Sequence, residues 1–575
     1  MRPQPPLRKL TLVLVSASMS WLPAQVGQAR LEGAVLDAHR QPVPGAIVTA
    51  RLDGVEVARA CSDGSGSFAL PRLPQAELAI RATTAPPDVG GALVDLRDTT
   101  LGFARIAMMP ARRLAGIVRD ETGAPMAGAF VAFAPPGPAE FGAIADSTTT
   151  DARGRFEFAH VPFGPIAVRC WHAERAGLAT TIDSGGDADV EFAFDDEEPQ
   201  RRRFELAGAS SQQTAQARLE VMALAGQARV PLPAAVARPT RGEDGAWLVL
   251  GWTGDDAMWA HVVLDDAFVE PVFHDIPPDT GDRTKRFYVE SAANSIIRGR
   301  LFADDGIAIG NRRLVAIGGR RGGGMRSFAI TDDEGTFELP TPTPTNTDFL
   351  LRCLDPDVAL VPPASRSWFE GTQVWLSHRP DQQHELELRP AARLHGTLQD
   401  ATGAPYRGAE VVLLVAHGPQ VQSMARIGEG GFHQVRGSEV FGRGHTDAAG
   451  RLVLPGAALE AGMPLTLQFL GPLGFLQHEV AFDGEDTDLG VLRTTAGATI
   501  RGAVQRPDGT PWPGAQIEVE DFCLTRHEYR ITADRDGRFT LPGLAGGPTW
   551  IGLAGTKRGQ LVTLEAGEAA DVTLR

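Results

Sequence analysis

The spacing Asp-x-x-Gly-x-Phe/Leu occurs five times, at Asp63-Gly66-Phe68, Asp151-Gly154-Phe156, Asp332-Gly335-Phe337, Asp447-Gly450-Leu452 and Asp534-Gly537-Phe539. Upstream of each lies a second signature: "EGAVLDAHRQPVPGAIV", "AGIVRDETGAPMAGAFV", "RGRLFADDGIAIGNRRL", "HGTLQDATGAPYRGAEV" and "RGAVQRPDGTPWPGAQI", whose first glycines are Gly33, Gly116, Gly299, Gly396 and Gly502. Self-similarity at a fixed period marks a repeat architecture, so the fold is read one unit at a time. The interval from Gly116 to Gly299 is about two units long, which predicts a sixth, degenerate copy over 201–290. There "GEDGAWLVL" keeps Gly245 and the aromatic Trp247 but has Gly242 in place of the aspartate.

Each unit reads as strand, turn, strand, variable loop, strand, tight turn, strand, and no long stretch has a helical period. Ile517 and Val519 alternate with Gln516, Glu518 and Glu520, as in a strand with one buried and one wet face. Gly123, Pro125 and Gly128 bracket one turn, and Gly509, Pro511, Pro513 and Gly514 another. Units of roughly 90 residues suit sandwiches of seven or so strands, and 575 residues are too many for one core. The expected fold is all-β: a tandem array of about six Ig-like sandwiches after a signal peptide, at 30–111, 112–200, 201–290, 291–391, 392–495 and 496–575.

Two readings compete for the Asp-x-x-Gly motif. In a type I turn the aspartate accepts backbone N–H groups, the glycine supplies a left-handed residue that closes a hairpin, and the aromatic two residues on points inward. A calcium loop would need more carboxylates and a ligand Glu at its twelfth position. "DDEG" (332–335) and "DRDG" (534–537) have more than one carboxylate before the glycine, the other three have one, and none of the five has that Glu. The turn is favoured, and no metal is expected.

The opening G-x-V-x-D-x-x-G-x-P-x-x-G-A, followed by T-D-x-x-G-x-F, resembles the carboxypeptidase regulatory-like domain, most closely over 114–158. Gly116, Val118, Asp120, Gly123, Pro125, Gly128 and Ala129 fit the first half, and Thr150, Asp151, Gly154 and Phe156 the second. The resemblance implies a prealbumin-like sandwich related to starch-binding-like and collagen-adhesin B-type folds. These motifs define a fold rather than a site. The internal Lys-Asn or Lys-Asp isopeptide of some collagen-adhesin B-type domains needs a core lysine, and the regular opening strands contain none.

Arg2, Arg8 and Lys9 precede the short apolar run "LTLVLVSASMSWL", and Gly27-Gln28-Ala29 offers small residues, so residues 1–29 read as a secretory signal cut after Ala29 or, alternatively, after Ala24. The run is shorter than the roughly 20 residues of a spanning helix, and no cysteine follows it to take a lipid. The formal net charge of -16 argues against nucleic acid or an anionic bilayer as partner. Cys61, Cys170, Cys353 and Cys523 fall in four different repeats, Cys170 and Cys353 at matching places in apolar strands. They are expected as buried, unpaired thiols rather than disulfides.

The residues offer little chemistry. The His384-x-x-Glu387 spacing lies in an apparent strand, where residues three apart face opposite sides and cannot share a metal. Neither a Gly-x-Ser-x-Gly elbow nor a phosphate-cradling Gly-x-x-x-x-Gly-Lys occurs. "GGRRGGGMRS" (318–327) reads as a flexible hairpin end or a small anion-binding tip. Among the tryptophans, Trp375 in a long insertion and Trp512 in a Pro-rich turn are the candidates for stacking on a sugar ring, with core packing as the competing use.

The joints "RIAMMPARRLAGIV", "ELELRPAARLHGTL" and "GVLRTTAGATIRGAV" leave only a few residues between units, which predicts an elongated, semi-rigid array bending at "DDEEPQRRR" (195–203). The reading is an exported, non-enzymatic structural or adhesive protein of the cell envelope or extracellular space: secreted, periplasmic or at the cell surface. Its partners would be carbohydrate or another envelope protein, with no cofactor. The alternatives are a carbohydrate-binding protein using Trp375 and Trp512, and a hydrolase with an unrecognised site in the third repeat.

Overall fold

Seven strands build the first repeat: β1 (Gln28–Leu36), β2 (Ile47–Leu52), β3 (Val55–Cys61), β4 (Ser67–Pro74), β5 (Glu77–Thr83), β6 (Asp88–Asp95) and β7 (Leu101–Ala107). In this computed structural model the described residues run from 28 to 575, without a number of connecting segments, the longest being 136–142, 232–239, 251–257, 264–271, 275–283, 289–295, 319–325, 341–347, 362–372 and 455–464; between 201 and 290 the description is mainly of backbone. The expected signal peptide lies outside the described residues apart from Gln28 and Ala29, which begin β1.

β1 is central in a three-stranded sheet, antiparallel to β4 and parallel to β7, while β3, β2, β5 and β6 form the facing sheet. Inward positions of both sheets, among them Leu31, Val35, Val48, Phe68, Leu70, Ile80 and Ile106, make one core between them. The second repeat repeats the plan with β8 (Met109–Arg119), β9 (Phe130–Ala134), β10 (Asp146–Thr149), β11 (Arg155–Pro162), β12 (Gly164–His172), β13 (Arg175–Ser184) and β14 (Ala188–Ala193). Here β8 lies between antiparallel β11 and parallel β14, facing β10, β9, β12 and β13. The pattern of a first strand between an antiparallel and a parallel neighbour recurs at Ile296–Ala303, Leu394–Gln399 and Ala498–Val504. It also recurs at Arg201–Ala207, in the segment whose signature has decayed. The protein is all-β, built of β-sandwiches, as the alternating pattern predicts.

The two halves of the repeated signature are cross-strand partners. Gly33 is opposite Phe68, Gly116 opposite Phe156, Gly299 opposite Phe337, Gly396 opposite Leu452 and Gly502 opposite Phe539. In the four aromatic cases a Cβ on the glycine would collide with the ring, so the glycine makes the space in which the ring lies across the strand.

The joints are as short as expected. Met108 alone separates β7 from β8, residues 391–393 join Gln383–Pro390 to Leu394–Gln399, and residues 494–497 join Thr487–Arg493 to Ala498–Val504. The elongated array does not follow from them. The first repeat packs against the fifth through a Phe103–His445 stack with centroids 4.7 Å apart. It meets the sixth through His39 and Asp534. Short joints fix each neighbour on its neighbour, but they leave the path through residues 201–391 to bring the ends together. The expected bend at 195–203 lies largely outside the described residues.

Within neighbouring pairs the joins are extensive. Asp88 and Val89 of β6 pair with Pro110 and Met109 of β8, so one sheet continues from the first repeat into the second. Beneath this run a small apolar cluster of Val89, Met109, Ala111 and Ile144 and an ion triad in which Asp146 receives both Arg81 and Arg51. Burial by itself would raise the Asp146 pKa, but the two guanidiniums more than offset it and hold the carboxyl below its usual range. Phe475 likewise packs on the sixth repeat's core and exchanges backbone hydrogen bonds with Thr495.

Candidate functional site

Each Asp-x-x-Gly motif is a turn clamp. Asp151 Oδ1 accepts the N–H groups of Arg153 and Arg155, both at 2.8 Å, and Gly154 has φ +70°. The same pair of bonds is made by Asp63, Asp332, Asp447 and Asp534, whose glycines Gly66, Gly335, Gly450 and Gly537 all have φ between +70° and +79°. The N–H donors from Arg155 and Arg153 keep the Asp151 carboxyl below the usual range, and the Ser65 hydroxyl does the same for Asp63.

The residue before the aspartate is also structural. Thr150 Oγ1 donates to the Met126 carbonyl at 2.7 Å and accepts from the Ala129 N–H at 2.9 Å, and Ser62, Thr331 and Thr446 repeat this bridge. A parallel clamp closes the upstream turn, where Asp37, Asp120, Asp400 and Asp508 accept local N–H groups.

Two of these clamps also reach another repeat. Asp534 Oδ2 lies 3.2 Å from His39 Nε2, while His39 Nδ1 is 3.2 Å from Thr540 Oγ1. Asp63 Oδ2 lies 3.7 Å from Arg407 Nη1, which also donates to Ser65 at 3.3 Å. Arg535, beside Asp534, donates to the Pro87 carbonyl at 2.8 Å and to Asp88 at 3.2 Å, with its guanidinium 5.6 Å from the Phe163 ring centroid. The sixth repeat's turn is thus seated where β6 meets the second repeat. Asp37, His39, Asp88, Met109, Asp534 and Asp536 line a cavity of about 280 Å³ there. A larger one of about 540 Å³, with Glu32, Leu101, Phe103, His445, Asp447 and Val453 in its walls, lies between the first and fifth repeats.

Arg40 belongs to this junction. Its counterparts in the upstream turn are Gly123, Gly403 and Gly509, all at positive φ, yet Arg40 takes the same conformation with φ 59°. Its side chain is only 9% exposed and reaches the Pro542 carbonyl of the sixth repeat at 3.5 Å. An arginine in a glycine position was the one signal in the sequence that could have marked this junction.

Of the tryptophan candidates, Trp512 is half-buried against the sixth core, with the Arg506 guanidinium 5.5 Å from its ring centroid, so its loop context leaves it less exposed than expected. Trp375 is paired by backbone with Leu350, and its side chain lies outside the described residues. His384 is buried against Phe349 while Glu387 pairs with Arg389, on opposite faces of their strand. Cys170 and Cys353 are buried, and desolvation pushes the Cys353 thiol up to about 11 and Cys170 further still. Cys61 departs from expectation in being exposed, because it ends the edge strand β3. Cys523, most of 318–327 and the side chains that a site in the third repeat would need lie outside the described residues.

No helix among the described residues is long and apolar enough to cross a membrane. Comparison with curated proteins finds no match. Solved structures that resemble the chain include the minor pilin GBS52 of Streptococcus agalactiae (15% identity, 30% of this chain and 98% of that one, TM-score 0.15). Others are the Bacillus anthracis TIE protein (11%, 72% and 70%, TM-score 0.13) and the shaft pilin SpaA of Lactobacillus rhamnosus GG (12%, 35% and 96%, TM-score 0.16). Residues 113–195 match the family model of the carboxypeptidase regulatory-like domain, and it is to that family that the second repeat is similar.

Proposed function

We propose that the chain is an exported, non-enzymatic structural or adhesive protein of the cell envelope or extracellular space. In this reading six regulatory-like sandwiches, at 30–111, 112–200, 201–290, 291–391, 392–495 and 496–575, follow a signal peptide. The observation that carries it is the use made of the recurring polar side chains. Asp151 and Thr150, and their counterparts in the other motif-bearing repeats, are spent on backbone clamps and inter-repeat contacts rather than converging on a reacting centre. Polar groups committed in this way give rigidity, the property a scaffold needs. The basic and apolar N-terminal run supports export.

Fractionation of the producing cells, with protease treatment of intact cells and a variant lacking residues 2–24, tests this. The full chain should appear outside the cytoplasm and be degraded from outside or on outer-layer release, and the truncated variant should stay inside. Equal cytoplasmic retention of both would overturn the reading. A second reading, sugar binding, draws on Trp512, which is half-buried beside Arg506. A glycan array with the parent chain and Trp512→Ala tests it, and loss of a signal in the variant is the supporting result.

A further inference from the structure

Beside the Phe103–His445 stack, the first and fifth repeats leave between them the cavity of about 540 Å³, a size usual for ligand clefts and a place, between domains, where they concentrate. Three of its lining residues, Leu101, Gly102 and Phe103, are consecutive in β7, although side chains of consecutive strand residues point to opposite faces. A Cβ on Gly102 would point into the first core, against Leu96 and Leu31, so Gly102 meets the cavity with its main chain. Across the cavity the same holds for Gly444, whose Cβ would meet Leu452 and Leu454 of the fifth core. The cavity therefore meets both β7 and the strand Ser438–His445 edge-on, and each is the outer strand of its sheet. Thr99 Oγ1 accepts from the Leu101 N–H at 3.2 Å and donates to the Leu101 carbonyl at 2.8 Å, so these groups point away from β1. Alternation along the strand turns the N–H and C=O of Phe103 the same way, toward the open edge. Leu101 and Val453, 58% and 56% exposed, stand in the cavity's walls. The charged side chains there already have partners: Glu32 pairs with Arg30 at 2.6 Å and Asp447 with Arg451 at 2.7 Å.

We propose that this cavity binds a short extended peptide segment of another protein, uncharged and with apolar side chains at alternate positions, added along the open edge of β7. An extended segment brings main-chain donors and acceptors at the spacing of a strand, which pair with Phe103, while its alternate side chains reach Leu101 and Val453. A charged segment would have to break the two ion pairs or leave its charge against apolar walls, so the walls select an uncharged one. The site names a kind of partner that the scaffold reading does not. It is read from the cavity alone, and it stands or falls independently of export.

Titration calorimetry on the full chain tests it with two blocked, neutral probes, acetyl-Val-Thr-Val-Thr-Val-amide and acetyl-Leu-Thr-Leu-Thr-Leu-amide. At least one should bind, and the same peptide methylated on alternate amide nitrogens, which removes the donors of one edge, should not. Leu101→Glu and Val453→Glu, at positions exposed enough to accept the change without unfolding, should each weaken binding about tenfold or more. Leu561→Glu, at an exposed apolar residue on an outer strand of the sixth repeat, should leave it unchanged and controls for non-specific adhesion. Hydrogen exchange over residues 101–105 should slow when the peptide saturates the parent. Failure of both peptides to bind at about 1 mM overturns the proposal, since that limits the affinity to less than about 4 kcal/mol. So does equal binding of the methylated peptide, or equal binding by Leu101→Glu and Val453→Glu. Binding of maltotriose in place of the peptides, lost in Leu101→Glu, would overturn it in favour of a sugar site.

Discussion

Phe156 lies with its ring across Gly116, its direct cross-strand partner, and a Cβ added to Gly116 would strike both that ring and the Val190 carbonyl of the parallel neighbour β14. The ring is buried against Phe158 and Phe192, and the carbonyl is held in the β8–β14 ladder. Gly116→Ala should therefore cost about 3 kcal/mol, the upper end of what overpacking costs. Hydrogen exchange of the β8 and β11 amides in the full chain reads this local loss. An unchanged exchange pattern would show that the sheet has slack at this point.

Gly154 carries a second backbone constraint. At φ +70°, a Cβ there would lie 2.5 Å from the Val118 carbonyl oxygen and 3.0 Å from the Met126 nitrogen. Gly154→Val is expected to cost about 3 kcal/mol or more, since left-handed strain and a backbone clash add. Asp151→Ala, which removes two exposed turn bonds, should cost clearly less. Millimolar calcium should leave the melting of the parent and of Asp151→Ala equally unmoved. A calcium-dependent rise confined to the parent would restore the metal-loop reading.

Arg40 separates strain from docking. Arg40→Gly removes left-handed strain of about 1 kcal/mol and also the bond to Pro542, whereas Arg40→Ala keeps the strain and loses the bond. Urea denaturation of the full chain should rank Arg40→Gly above Arg40→Ala by about 1 kcal/mol in its first-repeat transition. Equal stabilities would mean that the turn relaxes out of the left-handed region once the arginine is gone.

Asp146 sets a pH dependence. Its folded pKa lies below the unfolded value of about 3.9. The carboxylate therefore contributes stability at neutral pH that begins to fall away near pH 5 and is lost as pH drops through the folded value. Asp146→Asn should destabilise the junction of the first two repeats by about 3 kcal/mol at pH 7, because the buried Arg81 and the partly exposed Arg51 lose their counter-charge. The variant should also show a shallower loss of stability between pH 5 and 3. A parallel pH profile in parent and variant would refute the triad's role, since the other depressed carboxylates, such as Asp151 and Asp63, remain in both.

What could be read from the sequence divides along the range of the interactions. Asp151 and Gly154 act on backbone within four residues of the aspartate, so their spacing states their geometry. Gly116 and Phe156 are farther apart, but they recur together, and the recurrence carried the fold. His39 and Asp534 have no local signal: each sits in a turn that closes for its own reasons, and the surface each presents depends on the whole chain between them. The rod followed from the joints alone, which say how neighbours connect and nothing about what repeats hundreds of residues apart offer one another. Trp512 is half-buried for a related reason, since a Pro-rich turn can lie back on its own core.

The start of β1 bears on where an export signal is cut. The small residues at Gly27 and Ala29 favour cleavage after Ala29. Ala29, however, is 2% exposed, belongs to the first core and pairs with Leu73, and Gln28 pairs with Pro74. A chain beginning at Arg30 gives up the buried methyl, worth about 0.8 kcal/mol, and the first paired positions of the strand on which β4 and β7 assemble. A chain beginning at Gln25, after the alternative cut at Ala24, keeps both. The chain from Gln25 should melt higher than the chain from Arg30, with the difference confined to the first repeat. N-terminal sequencing of the exported protein should find Gln25. Equal melting of the two chains, together with a native N-terminus at Arg30, would show that β1 is complete without its first two residues.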